Sequence, residues 1–75
     1  MDNNDYNGWT NRATWSVYSW LGNDSDIYQM ALSLNMVDAS QFENFCRYLW
    51  KNETPDGCSL AEVDWQEIAD AWTIK

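Results

Sequence analysis

Apolar residues recur along this chain at helical spacing, and no segment sustains two-residue alternation, so the pattern predicts helices and no strands. The most constrained stretch runs from Asn7 to Gly22, NGWTNRATWSVYSWLG. Asn-Gly at 7 and 8 signals a chain reversal, and Asn11 is a good N-cap because its side-chain oxygen can accept from the free amides of a first turn. Gly22 is the expected stop. Between them Ala13, Trp15, Val17, Tyr18, Trp20 and Leu21 occupy nearly every side of a helix, which calls for neighbours all round. Trp9, two residues before the cap, is expected to fold back as a plug over the helix start, and residues 1 to 6 are expected to be loose.

Three more helices follow. Asn23, Asp24, Ser25 and Asp26 offer N-caps for a short second helix, whose apolar residues Ile27, Met30, Ala31 and Leu34 keep the spacing of one buried face, with Asn35 as its end. In the third, Phe42, Phe45, Cys46, Leu49 and Trp50 mark the inner stripe, Ser40 and Glu43 form a capping box, and Arg47 and Lys51 suit the C-terminal dipole. The turn NETPDG, 52 to 57, stops it. Two starts then compete for the last helix, Ser59 with Glu62 and Asp64 with Glu67. The second also has Val63 and Ile68 placed for a hydrophobic staple and is favoured, with a single helical turn at 59 to 62. Trp65, Ile68, Ala69 and Trp72 then face inward, and Gln66, Glu67 and Asp70 face water. The expected fold is all-α: one domain over residues 1 to 75, a compact bundle of about four short helices around a tryptophan-rich first helix.

Charge narrows the partners. Twelve acids against four bases give a net charge of −8 and a pI near 4.1, so direct binding of nucleic acid or an anionic membrane is disfavoured and a protein partner with a basic surface is favoured. No stretch approaches the ~20 apolar residues of a membrane span. Cys46 falls on the apolar face of the third helix, and no signal peptide precedes it, so both it and Cys58 are expected to be reduced thiols in a cytoplasmic protein.

Catalytic equipment is sparse. Histidine is absent, which removes the commonest general base and the commonest metal ligand together. Two cysteines eleven residues apart match no zinc finger or ribbon, Asp24 to Asp26 lacks the rest of a calcium loop, and no Gly-rich phosphate cradle or nucleophile elbow is present. A non-enzyme without cofactor or metal is the expectation.

What remains is acids and aromatics. Glu53, Asp56, Glu62, Asp64, Glu67 and Asp70 all follow residue 51, with Lys75 as the basic exception. Carboxylates there can stand where phosphates would stand for a nucleic-acid-binding protein; equally, such acids serve as caps and solvated surface. Trp15 and Trp20 lie about 140° apart around a helix, so they cannot share one side, and one of them can anchor a partner. Core packing is the plainer role for both.

The motif NGWTNRATWSVYSWLGND, residues 7 to 24, resembles the signature of a family of small proteins of unknown function encoded by bacteriophages, plasmids and some bacterial chromosomes. The matching positions are Asn7, Gly8, Trp9, Thr10, Asn11, Thr14, Trp15, Trp20, Leu21, Asn23 and Asp24, and VDWQEIA at 63 to 69 is similar to the family's usual ending. The resemblance brings no catalytic or ligand residues, but it implies a mobile-element origin. Small acidic proteins from such a source commonly act by binding and blocking a host factor. The leading expectation is therefore an anti-defence inhibitor, of anti-CRISPR or anti-restriction type, that occludes a nucleic-acid-handling complex through the acidic C-terminal half and an exposed tryptophan. The alternatives are a self-associating structural or regulatory adaptor, working as a homodimer, and a sponge for a small signalling molecule.

Overall fold

Asn11 starts the first helix as its sequence requires. In the computed structural model, which describes residues 8–74, Asn11 is extended, and its Oδ1 accepts from the Thr14 amide at 2.9 Å. Helix α1 runs Arg12–Asn23. The expected stop at Gly22 is not the stop, because the helix continues through that residue. Asp24 ends it: its extended backbone allows Oδ1 to accept from Asp26 N and Ile27 N, at 3.0 and 3.1 Å, and so cap the next helix. A short side chain that bonds the following amides competes with continued helix, so one residue both closes α1 and opens α2.

Helix α2 is Ser25–Leu34 and closes at Asn35 in the left-handed conformation, φ 53°. Its expected buried face is covered only in part, with Ile27 half-buried against the core. Ala31 is its one buried residue, while Met30 and Leu34 remain 41% and 53% exposed. Helix α3 is Ala39–Trp50, and its capping box is formed by Asp38 with Gln41, not by Ser40 with Glu43. Gln41 Oε1 accepts from both Val37 N and Asp38 N, at 2.7 and 3.2 Å, while Ser40 spends its hydroxyl on Asp38. Two amides satisfied by one side chain favour the earlier start.

Both candidate starts near the C-terminus are used. Ser59 caps a 3-10 turn at Leu60–Glu62, and Asp64 Oδ1 accepts from the Glu67 amide at the head of α4, Trp65–Ile74. Val63 and Ile68 are both buried. Glu67 does not close a capping box, however: its Oε1 accepts from Thr10 N at 3.0 Å, and it is half-buried, not turned fully to water.

Among the described residues the chain is therefore all-α, with four helices and one isolated bridge between Glu53 and Ser59. Helix α1 packs on α2 and α4, and α3 packs on α4. Val17, Leu21, Phe42, Cys46, Leu60 and Ile68 are sealed from solvent. Around this aliphatic centre, Trp72 on α4 meets one ring from every other helix: Tyr18, Tyr28 and Phe42, with centroids 6.2, 5.7 and 5.8 Å away. Trp9 folds back as expected but lands against Tyr18, centroids 4.7 Å apart, further along α1 than the helix start. The expectations for residues 1 to 6, and Asn7 of the reversal signal, lie outside the described residues. No described helix is long and apolar enough to cross a membrane.

Candidate interaction surfaces

Two segments distant in sequence clamp the start of α1 to the start of α4. Thr14, fully buried, donates from Oγ1 to Asn11 Oδ1 at 2.8 Å and accepts from Asp64 N at 2.9 Å. Asn11 Nδ2 donates to the Glu62 carbonyl at 2.9 Å, and Glu67 holds Thr10 N. These bonds join TNRAT at 10 to 14 with EVDWQE at 62 to 67. Both segments that carry the family resemblance thus meet each other, and this part of the signature is accounted for by folding.

Four other signature positions, Trp15, Trp20, Asn23 and Asp24, line a cleft. Helical geometry sets Ser19 and Asn23 along one stripe of α1, with Trp15 and Trp20 rising on either side of it. Asp24 closes one end, and Asp56 arrives from the turn after α3. Together these six line a cleft of about 360 Å³. Asp56 is held there by its Oδ2, which accepts from Ser16 Oγ and from Trp20 Nε1, both at 3.3 Å.

The turn is fixed on α1 by a second contact. Ser16 and Thr54 are both buried polar residues, with Oγ to Oγ1 at 3.3 Å, and Thr54 Oγ1 also accepts from Cys58 N at 3.1 Å. Gly57, at φ 86°, permits the reversal, and its amide reaches the Thr54 carbonyl at 2.8 Å. A buried helical serine needs a partner; here it positions Asp56.

The eight sequence candidates therefore separate. Trp15, Trp20 and Asp56 come together in the cleft. Glu53, Glu62, Asp64 and Asp70 are exposed, with Asp64 also a cap and Asp70 accepting from Gln66 at 2.9 Å. Glu67 is spent on Thr10. All six tryptophans are half-buried, so neither Trp15 nor Trp20 is purely core or freely displayed; Trp20 also packs edge-on to Trp50, 6.4 Å between centroids. Ser19, Asn23 and Asp24 were missed as lining residues because the latter two read simply as caps. For Asn23 and Asp24 the available signal was their place in the signature, beyond what a cap needs; Ser19 carried none.

Indole faces beside carboxylates make an environment suited to an ammonium or guanidinium group, which ring quadrupole and negative charge attract together. Among the described residues no group of three or more His, Cys, Asp or Glu side chains is placed to hold a metal ion. Cys46 and Cys58 are separate buried thiols, and desolvation raises Cys46 from 9.0 to about 12, the opposite of activation.

A second concavity lies between α2 and α3. Met30, Ser33 and Leu34 form one wall, Gln41, Asn44, Phe45 and Tyr48 the other, and Met36 lies between, around about 530 Å³. No lining residue carries a full charge at neutral pH.

With this geometry in place, the comparisons with known proteins can be set beside it. The chain belongs to DUF7249, a family of unknown function whose model matches residues 2–74. No curated protein and no solved structure matches it. Membership in DUF7249 thus covers all the described elements, the clamp and the indole-carboxylate cleft included.

Proposed function

We propose that this protein is a non-catalytic inhibitor of mobile-element origin that binds a basic, nucleic-acid-handling host protein and occludes it, an anti-defence role of the anti-CRISPR or anti-restriction type. The observation that carries the reading is the cleft on α1, where Trp15 and Trp20 flank a recess closed by Asp24 and Asp56. An arginine or lysine that normally grips phosphate enters this recess, its cation over an indole face and its N–H groups donating to carboxylate oxygen. Glu53, Glu62, Asp64 and Asp70 add the broader negative field that steers a basic surface into contact. Glu67 is left out of the contact set, since it is half-buried at the clamp between α1 and α4 and does not line the cleft.

The net charge of −8, the phage-type signature and the four of its positions that line the cleft all support this reading. Its test is binding to purified nucleic-acid-handling defence complexes at rising salt. Affinity should fall by about tenfold or more between 0.05 and 0.5 M salt, since exposed charge contacts are screened over this range. Trp20→Ala with Asp56→Asn should abolish binding while the helical circular-dichroism spectrum persists. Tight binding indifferent to both salt and this double substitution would remove the mechanism.

A further inference from the structure

We infer that the uncharged groove between α2 and α3 is where two copies of this chain meet, independently of the cleft on α1. The argument begins with what the fold leaves undone. Helix α2 has ten residues and buries only Ala31; Met30 and Leu34, spaced for a common inner face, stay open, as do Val37 at 65% and Tyr48 at 81%. Helices this short depend on tertiary cover for their stability. At those exposures the four side chains leave on the order of 500 Å² of largely apolar surface, the upper part of what a monomer ordinarily shows.

Charge selects the occupant. From Ile27 to Val37 there is no charged residue, and residues 27 to 52 as a whole balance Asp38 and Glu43 against Arg47 and Lys51. The whole of the −8 therefore lies outside residues 27 to 52, and the one acid of α2, Asp26, sits in its first turn, away from the groove lining. Two copies repel at every acidic face, whereas on this one they meet without net repulsion. The balance is also polar along α3, whose N-cap is Asp38 and whose C-cap is Lys51. A two-fold axis across that helix sets the acidic head of one copy against the basic tail of its partner, as an isologous interface requires. A strongly basic partner gains nothing from this neutral face.

The area predicts a weak dimer. A patch near 500 Å² per copy falls below the ~800 Å² of standard interfaces, so a dissociation constant of about 10–100 µM is expected. Sedimentation equilibrium on the full chain from about 5 µM to 1 mM measures it. The mass should move from monomer to dimer across that range, and added salt should preserve or tighten the dimer by screening the residual repulsion. That is opposite in sign to the salt response of the inhibitor contact, so each proposal fails separately.

Leu34→Glu and Tyr48→Glu, both at exposed positions, should each weaken dimerisation at least tenfold with helical content and melting cooperativity retained. Asp70→Asn, on the acidic face, should not weaken it. A monomer at every concentration overturns the inference, as does a dimer unmoved by either glutamate. A monomeric chain that captures a foreign helix in this groove also overturns it.

Discussion

Thr14 Oγ1 lies 2.9 Å from the backbone nitrogen of Asp64, fifty positions later in the chain, and a single buried hydroxyl thereby joins the heads of the first and last helices. The same oxygen donates its one proton to Asn11, so the hydroxyl serves as donor and acceptor at once. Thr14→Val keeps the shape and removes both bonds. Leaving the part-buried Asp64 amide without its acceptor costs about 1–3 kcal/mol, while Asn11 Oδ1 keeps the Thr14 amide. Thr14→Ser, which loses a buried methyl and keeps the hydroxyl, should cost about half as much. Urea unfolding curves compare the two, and a valine variant as stable as serine would show the clamp to be incidental.

Trp72 is the ring at which all four helices converge. Trp72→Ala removes packing against α1, α2 and α3 at once and should cost about 3–5 kcal/mol, the range for truncating a large core aromatic. That is a large fraction of the stability of a domain this small. Trp72→Phe should recover more than half. Thermal melts followed at 222 nm distinguish these outcomes from a peripheral role, in which both variants would melt within a few degrees of the parent.

Local rules were the legible part of this fold. Asn11, Asn35 and Asp64 mark helix ends because a cap depends on residues within one turn, and the inner stripe of α3 follows from spacing alone. The expected box of Ser40 with Glu43 gave way to Asp38 with Gln41 because Gln41 reaches two amides, which no pairwise pattern weighs. Gly22 misled because an exposed glycine can continue a helix, at modest entropic cost, when the next residues supply a better stop. Periodicity also grouped Met30 with Ala31 and Leu34, but it reports which residues share a face, not whether another element covers that face. The cleft was legible only as separate parts, since Asp56 reaches Trp20 through a turn whose docking on Ser16 is a contact across 38 to 40 positions.

Burial pushes the Cys46 thiol up to about 12, and this ties stability to alkaline pH. The unfolded thiol ionises near its ordinary 9.0, while the folded one holds its proton. Below pH 9 both states are protonated and the group contributes no pH dependence. Between 9 and 12 the unfolded state alone releases the proton, so stability falls with rising pH, by at most roughly 1.4 kcal/mol per unit. Comparing the chain with Cys46→Ala isolates this slope from that of the tyrosines and lysines. Equal slopes would mean that the thiol reaches solvent in the folded state, as would rapid alkylation at pH 8.

Asp56 belongs to the cleft only if its turn stays fixed on α1, and the Ser16 hydroxyl is the group that can be removed to test this. Ser16 is buried and bonds both Thr54 and Asp56. Ser16→Ala should cost about 1 kcal/mol, the net worth of ordinary hydrogen bonds, and should raise exchange at the Gly57 and Cys58 amides, which close the turn. Asp56→Asn retains an acceptor for Trp20 Nε1 but removes the charge. If the serine and aspartate act through one contact, the double variant should be less destabilised than the sum of the singles by about 0.5–1 kcal/mol. Strict additivity would place Asp56 on a turn whose position owes nothing to α1, and its carboxylate would then have no fixed place beside the indoles.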